Sequence, residues 1–208
     1  AIEIEDKAAT AYEKWADDVV QHLNGIFAFC LWDAGKQLLL LARDHFGVKS
    51  FYYREAPGLF VFSNTLDCVR RHPESSDQLN DLAIADFLVG GVKQDESATS
   101  FEDVQRLPPA HTLIYEAGAV RMRAYWTLPT EGRVRYRHAR DYVDRFSELF
   151  RDAVADRVGT SDVGVWASGG LDSTSILATA DRLPVPVPGI IAPLPSPPGP
   201  EGTRQEAS

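Results

Sequence analysis

The segment Ser168-Gly169-Gly170-Leu171-Asp172-Ser173 holds the residue types best suited to chemistry in this chain. Two consecutive glycines let a backbone approach a ligand closely, where a Cβ would clash. A helix is predicted to begin near Asp172, so unpaired N–H groups and the positive end of a helix dipole would point into the loop. Ser168, Ser173 and Thr174 add hydroxyl groups. The pattern predicts a phosphate or pyrophosphate site that differs from a Walker A loop, because the lysine of that loop is missing.

An ordinary tight turn before a helix is the alternative for this segment, with Asp172 as the N-terminal cap. The complete six-residue string stands between a predicted strand, residues 162–167, and a predicted helix. That placement favours phosphate binding over the plain turn.

The elements that must position the loop are predicted from apolar spacing. Residues 128–132 are interpreted as a linker, and a helix with an apolar stripe follows it, formed by Tyr142, Phe146, Leu149, Phe150, Ala153, Val154 and Val158. Strand, glycine loop and helix then open a parallel α/β domain. Eight of the 13 prolines fall between Pro184 and Pro200. We therefore predict that residues 184–208 are extended and largely disordered and form no strand.

The first part of the chain is predicted to be a mixed layer built on antiparallel strands. Helical spacing joins Tyr12, Trp15, Ala16, Val19, Val20 and Leu23, and a second helix is expected over residues 80–89. Turn residues separate three strand pairs: residues 26–32 with 37–43, 51–54 with 59–63, and 112–115 with 120–125. Residues 26–32 are apolar on both alternating faces, which predicts a strand covered from two sides.

Composition narrows the class of protein. Hydrophobic residues make up 44% and charged residues 25% of the chain, as in ordinary globular domains. The net charge of −9 and the lack of a basic stripe argue against a nucleic-acid partner. No apolar run has the length of a membrane span, so a cytoplasmic protein without a membrane partner is expected. Cys30 and Cys68 have no metal-binding spacing and are predicted to be packed as small hydrophobic residues.

Several segments resemble the asparagine synthetase family. The string at residues 168–173 is similar to that family's pyrophosphate loop. Residues 23–33 are similar to the LxGxFAFxxWD segment of class II glutamine amidotransferase domains. Residues 42–49 resemble the ARDxxGxxP loop of those domains, and residues 106–111 with Tyr125-Trp126 resemble the segments that close them.

The resemblance implies an α+β fold, an incomplete N-terminal-nucleophile-hydrolase-like sandwich, over residues 1–127. Residues 128–183 would then be the first strand, loop and helix of the parallel α/β asparagine synthase domain, with a proline-rich disordered tail at 184–208. In this family ATP activates a carboxylate as an acyl-adenylate, pyrophosphate leaves, and ammonia from glutamine attacks. The implied ATP and pyrophosphate ligands are Ala167, Ser168, Gly169, Gly170, Leu171, Asp172 and Ser173. Trp166 would lie close to the nucleotide, and Asp172 would bind Mg²⁺, with helix capping as its alternative role.

Departures from the family pattern limit what is assigned. The N-terminal cysteine nucleophile has no counterpart in this sequence, so no catalytic residue is predicted. Ser50 stands where the family has proline, and Asn64 where it often has glutamate. We interpret Arg43 and Asp44 as a pair that braces a loop, and His45 as a solvated loop residue. His111 and His138 are given no role.

Three functions are therefore open. The first is an asparagine synthetase-type amidotransferase that uses ATP, aspartate and glutamine, with a homodimer possible. The second keeps the chemistry but closes a β-lactam ring or the isopeptide bond of a lasso peptide. The third is a non-catalytic remnant. Because the match starts inside one domain and the proline-rich segment follows the first helix of the next, we expect a chain truncated at both ends and inactive by itself.

Overall fold

The chain forms two compact units, Ala1–Thr130 and Glu131–Ser208. The computed structural model describes residues 2–91, 94–132, 134–159, 163–184, 187 and 189–191. Within these residues no helix combines the length and the apolarity that a membrane span needs.

Seven strands and three α-helices build the first unit within its described residues. The strands are β1 (Ala28–Asp33), β2 (Leu38–Arg43), β3 (Tyr52–Ala56), β4 (Leu59–Ser63), β5 (Gln105–Arg106), β6 (His111–Glu116) and β7 (Ala119–Ala124). The α-helices are α1 (Ile2–Trp15), α2 (Leu66–Arg70) and α3 (Asp81–Gly90), and a 3-10 helix spans Ala16–His22. The three predicted strand pairs and the predicted helix near residues 80–89 are confirmed.

The strands form two antiparallel sheets that pack face to face. One sheet has the order β1-β2-β6-β7 and the other β4-β3-β5. Successive side chains of a strand point to opposite faces of its sheet. Along β2, Leu39 and Leu41 share the face that packs against aromatic residues of the second sheet. The stacked rings of Phe60 and Tyr115, with centroids 4.7 Å apart, bridge the two sheets. This α+β arrangement of antiparallel sheets is compatible with the predicted hydrolase-like sandwich.

The opposite face of the first sheet is covered by the N-terminal helices. Leu38, Leu40 and Ala42 of β2 pack there against Val19 and Val20, both fully buried. The continuous helix predicted through Leu23 is wrong, since the chain breaks at Ala16, whose φ is +48°. Because the 3-10 helix that follows has a tighter turn than an α-helix, the break resets the phase of the apolar positions and turns both valines onto the sheet.

The prediction of a strand covered from two sides is wrong for residues 26–32. β1 lies at the edge of its sheet among the described strands, and the Trp32 side chain is 54% exposed. The central strand β2 has both faces covered instead, and Leu38 and Leu40 to Arg43 are all buried. Position in the sheet decides this difference, because both strands are equally apolar in sequence.

The second unit packs two helices beside a short parallel strand pair. Its described elements are α4 (Ala139–Val158), β8 (Val165–Ala167), α5 (Leu171–Ala180) and β9 (Gly189–Ile191). β8 and β9 pair in parallel. The prediction that residues 184–208 form no strand is wrong at β9, a proline-free run between Pro188 and Pro193 that has free N–H groups for pairing. Most of the remaining predicted tail lies outside the described residues.

Arg43 and Asp44 hold together the loop that follows β2. The buried Arg43 guanidinium donates hydrogen bonds of 2.5–2.6 Å to the carbonyls of Gly47, Lys49 and Leu107. The buried Asp44 carboxylate accepts from the N–H groups of Phe46, Val48 and Lys49 at 3.0–3.1 Å. The two residues therefore brace the loop, as predicted, and they do so through hydrogen bonds to its backbone.

Neighbouring segments of the first unit form hydrogen bonds with the same two residues. Asp44 donates its N–H to the Phe27 carbonyl at 2.8 Å and accepts from the N–H of Ala110 at 2.9 Å. The Tyr125 hydroxyl donates to the Arg43 carbonyl at 2.7 Å, and burial raises the pKa of Tyr125 well above its ordinary value. His45 is only partly exposed and packs edge-on against Tyr125 and Trp126, with ring centroids 5.2 Å apart in each pair, so its prediction as a solvated residue is wrong.

We expect Gly47→Ala to destabilise the first unit by at least about 2 kcal/mol, because overpacking and a left-handed backbone each cost about 1 kcal/mol or more. Gly47 has φ +63°, and an added Cβ would stand 2.8 Å from the Arg43 guanidinium and 2.9 Å from Pro109. Gly118→Ala is the matched control, because Gly118 has φ +79° with open space around it. Urea unfolding followed by tryptophan fluorescence compares the two, and equal losses would contradict the packing argument.

Candidate functional site

The predicted ligand residues form one continuous turn between β8 and α5. Ala167 is buried at the end of the strand, whereas Ser168, Gly169 and Gly170 are exposed. Gly169 has φ +82°, a conformation that favours glycine. Gly170 is the extended residue that caps the helix. The structure thus brings residues 167–173 together at the N-terminus of a ten-residue helix.

Two serine hydroxyls close this turn. The Ser168 N–H donates to Ser173 Oγ at 3.2 Å, and the Oγ atoms of the two serines are also 3.2 Å apart. Ser173 Oγ donates to the Gly170 carbonyl at 3.3 Å. The Thr174 N–H is bonded to the Gly170 carbonyl as the first bond of the helix. The N–H groups of Leu171, Asp172 and Ser173 precede that bond and have no partner within the helix, as is usual for a first turn.

Asp172 is the second residue of α5, so the alternative that made it the N-terminal cap is wrong. Its exposed carboxylate forms no salt bridge with any side chain that the structure describes. Mg²⁺ is usually held by one or two carboxylates together with substrate phosphates and water. The described residues contain no cluster of three or more His, Cys, Asp or Glu side chains that could hold a metal alone. Asp172 fits a metal shared with a bound nucleotide.

The neighbours of the turn are more exposed than a closed pocket would allow. Leu171 is 84% exposed and Trp166 is 65% exposed. Trp166 follows the alternation of the strand and points away from the side of Ala167. The loop itself therefore offers backbone N–H groups, hydroxyls and one carboxylate as its polar groups.

A separate cavity of about 1010 Å³ lies in the first unit. It opens between β1, the loop held by Arg43 and Asp44, and the end of β4. Its polar lining includes Lys49, Ser50, Ser63 and Asn64, beside apolar walls formed by phenylalanines. Ser50 and Asn64, the two departures from the family pattern, both face this cavity.

Both cysteines are exposed, so the prediction that they are packed as small hydrophobic residues is wrong. Cys30 lines the cavity on β1, and partial desolvation raises the pKa of its thiol. Cys68 lies in α2 beside the hydroxyls of Thr65 and Ser63, which lower the pKa of its thiol. Edge placement of β1 explains why Cys30 is reachable from solvent.

Comparison with protein-family models gives two matches. Residues 8–126 match the glutamine amidotransferase domain, and residues 145–190 match asparagine synthase. The chain belongs to the asparagine synthetase family. This family consists of glutamine-dependent carbon–nitrogen ligases, and residues 8–126 are its amidotransferase domain.

Individual relatives agree with this membership. Asparagine synthetase [glutamine-hydrolyzing] 3 of Bacillus subtilis (strain 168) is 33% identical over 82% of this chain and 28% of its own length. A putative asparagine synthetase of Methanocaldococcus jannaschii is 30% identical over 80% of the chain and 33% of its own length. Amidase chyE of Penicillium rubens is 29% identical over 79% of the chain and 24% of its own length. The chain thus spans a third or less of these relatives.

The two thiols should ionise in different pH ranges. Because the pKa of Cys68 is lowered and that of Cys30 is raised, the thiolate of Cys68 forms first as pH rises. We expect iodoacetamide to modify Cys68 faster than Cys30 at neutral pH, with the rate at Cys30 still rising at higher pH. Peptide mass spectrometry over a pH series measures both rates in one sample. A lower midpoint for Cys30 than for Cys68 would contradict the assignment.

Proposed function

We propose that the chain contributes to an ATP-dependent ligase of the asparagine synthetase type, which adenylates a carboxylate and amidates it with ammonia from glutamine. The turn at residues 167–173 is the observation that carries this proposal. Its glycine at positive φ, its N–H groups before the first helical bond and its exposed carboxylate suit a magnesium-bound pyrophosphate group.

The physical role of this turn is to stabilise a leaving group. When a carboxylate attacks the α-phosphorus of ATP, negative charge moves onto the departing pyrophosphate. Backbone N–H groups fixed at a helix N-terminus meet that charge without reorganisation, as in other preorganised anion sites. Asp172 would share Mg²⁺ with the phosphates, which neutralises part of their charge. Ser168 and Ser173 would turn their hydroxyls from each other toward phosphate oxygens.

Glutamine is proposed as the nitrogen donor because residues 8–126 are an amidotransferase domain. The cavity beside β1 offers room for a small molecule, since ligand pockets commonly measure about 300–1,000 Å³. No residue among those that the structure describes is proposed as the nucleophile of glutamine hydrolysis. The reaction would give asparagine, AMP, pyrophosphate and glutamate when aspartate is the acceptor.

A second acceptor class stays open beside aspartate. Two relatives carry the name amidase, chyE of Penicillium rubens at 29% identity and chry2 of Gibberella zeae, also at 29%. The second candidate keeps the adenylation step and lets another amine attack the acyl-adenylate, as in closure of a β-lactam ring or of the isopeptide bond of a lasso peptide. A cytoplasmic location and a homodimer remain predictions that accompany this proposal.

Two substitutions in the turn test nucleotide binding. Asp172→Ala should weaken MgATP binding about tenfold, since a contact to a charged group is worth about 1.5–3 kcal/mol. Gly169→Ala should weaken it as well, because a side chain at φ +82° costs about 1–2 kcal/mol. Gly118→Ala is the matched control, because Gly118 has a similar positive φ of +79° with open space around it and lies in the first unit, so it should leave the affinity unchanged. Isothermal calorimetry measures each affinity.

Exchange of labelled pyrophosphate into ATP tests the reaction and its acceptor. Exchange that depends on aspartate supports the asparagine synthetase reaction, whereas exchange only with a peptide or another amino-acid derivative supports the second acceptor class. If MgATP does not bind, and the Asp172→Ala variant cannot be told apart from the unmodified protein, the non-catalytic alternative stands and the proposed function fails.

A further inference from the structure

We propose that α4 carries a self-association surface, on which a second copy of this chain docks through its own α4 in antiparallel orientation. The surface consists of Tyr142, Phe146, Leu149 and Ala153. It uses none of residues 167–173, so the proposed reaction does not depend on it.

One side of α4 is already packed within the second unit. Val154 and Val158 are buried together with Ala180 of α5, and Phe150 packs against this cluster. These contacts lie in the C-terminal half of α4, a helix of 20 residues that is about 30 Å long. The apolar stripe of α4 continues beyond them, toward the N-terminus and around the helix, on the self-association surface.

The self-association surface is apolar, exposed and already ordered. Tyr142 is 45%, Leu149 51% and Phe146 67% exposed. The Tyr142 ring stands edge-on to Tyr136, with centroids 4.8 Å apart. The Phe146 ring stacks on Phe150 at 5.7 Å. Because these contacts restrain the two aromatic side chains before any partner arrives, docking costs little further side-chain entropy.

The spacing of the surface is that of a coiled-coil seam. Two sets of positions repeat every seven residues on this side of α4: Ala139, Phe146 and Ala153, and between them Tyr142, Leu149 and Asp156. Such positions face a partner helix in a coiled coil. In an antiparallel pair centred between residues 146 and 149, Phe146 of each copy meets Leu149 of the other. Tyr142 then lies against Ala153 of the second copy, so that a large side chain faces a small one.

The repeat also selects the antiparallel orientation, through Asp156. In a parallel pair the Asp156 carboxylates of the two copies would face each other at the seam. In the antiparallel pair each Asp156 faces Ala139, in the first turn of the other α4. The positive end of the helix dipole favours a carboxylate there.

Charge complementarity at the edge of the surface identifies the second copy as the partner. Arg145 and Asp152 lie seven residues apart on the same edge. In the antiparallel pair Arg145 of each copy stands opposite Asp152 of the other, and the two-fold symmetry makes this ion pair twice. Within one chain the two side chains are 47% and 60% exposed and pair with Glu148 and Arg151. Exposed pairs of this kind contribute little, so exchanging them for the intermolecular pairs costs little.

The area of the surface predicts weak association. A strip about 30 Å long and about 10 Å wide on each helix is smaller than the interfaces of stable complexes, which bury about 1,200–2,000 Å² in total. We therefore expect a dissociation constant of roughly 10–100 μM. Sedimentation equilibrium at low ionic strength, with the thiols kept reduced, measures it at protein concentrations up to about 1 mM.

Phe146→Glu should weaken self-association at least about thirtyfold, because each dimer would bury two carboxylates at the centre of the seam. Leu88→Glu is the matched control: Leu88 is 77% exposed on α3, and the change should leave the association unchanged. Circular dichroism should show the same helix content in both variants, since both positions are exposed.

Mixing two charge reversals tests the partner and its orientation. Arg145→Asp alone and Asp152→Arg alone should each weaken self-association at least about tenfold, because two attractive pairs become repulsive. An equimolar mixture of these two variants should associate to within about threefold of the unmodified protein, because each residue 145 then faces an opposite charge at residue 152. A folding defect in either variant could not produce this rescue.

An unmodified protein that stays monomeric at about 1 mM would overturn the self-association surface. So would association that Phe146→Glu leaves unchanged, or that Leu88→Glu weakens equally. Association lost in both charge variants and not regained in their mixture would overturn the antiparallel pairing. MgATP binding is measured separately at residues 167–173, so failure of the surface is distinct from failure of the proposed function.

Discussion

The first unit depends on the hydrogen bonds of the buried Arg43 guanidinium. It satisfies three carbonyl groups that come from two separate turns, while Asp44 beside it satisfies three N–H groups of the loop. Burying two ionic groups is costly unless each is fully hydrogen-bonded, and here the partners are backbone groups that would otherwise be orphaned. The same two residues also form hydrogen bonds with Phe27, which precedes β1, and with Tyr125, which follows β7. The loop that they hold forms one wall of the cavity. The fold and the proposed donor site therefore depend on the same hydrogen bonds.

The two candidate sites differ in the polar groups that they offer to a ligand. In the second unit, a glycine at φ +82° and a helix N-terminus present backbone N–H groups and no cationic side chain. In the first unit, the cavity is lined by phenylalanines and by Lys49, Ser50, Ser63 and Asn64, and the backbone of Lys49 is held by a buried carboxylate. A pyrophosphate needs several donors spread over many oxygens, whereas one carboxylate is satisfied by one cation and a few neutral donors. The division agrees with the proposed roles of nucleotide activation and nitrogen donation.

Local patterns predicted most strands and the nucleotide turn, because hairpins and glycine turns are specified by neighbouring residues. The helix over Asp81–Gly90 is an example: Asn80 accepts from the Ala83 N–H, and Gly91 ends the helix at φ +70°. The predictions that failed depend on contacts between residues that are distant in sequence. The exposure of Cys30 follows from the place of β1 in the sheet, and the break at Ala16 follows from packing on β2. β9 was missed because proline density hid a three-residue run that pairs with β8. The cavity could not be predicted, since its lining joins separate segments of the chain.

The central claim is that a carboxylate is activated by adenylation. It is tested most directly by following the oxygen atoms of the acceptor carboxylate into the products. The ligase to which this chain contributes would be incubated with MgATP, glutamine and aspartate labelled with ¹⁸O in its carboxylates, and the nucleotide and phosphate products would be analysed by mass spectrometry. If the acceptor carboxylate attacks the α-phosphorus, the amidation that follows leaves one ¹⁸O in AMP, and pyrophosphate remains unlabelled. Formation of ADP with ¹⁸O in inorganic phosphate would show attack at the γ-phosphorus and would contradict the role assigned to residues 167–173.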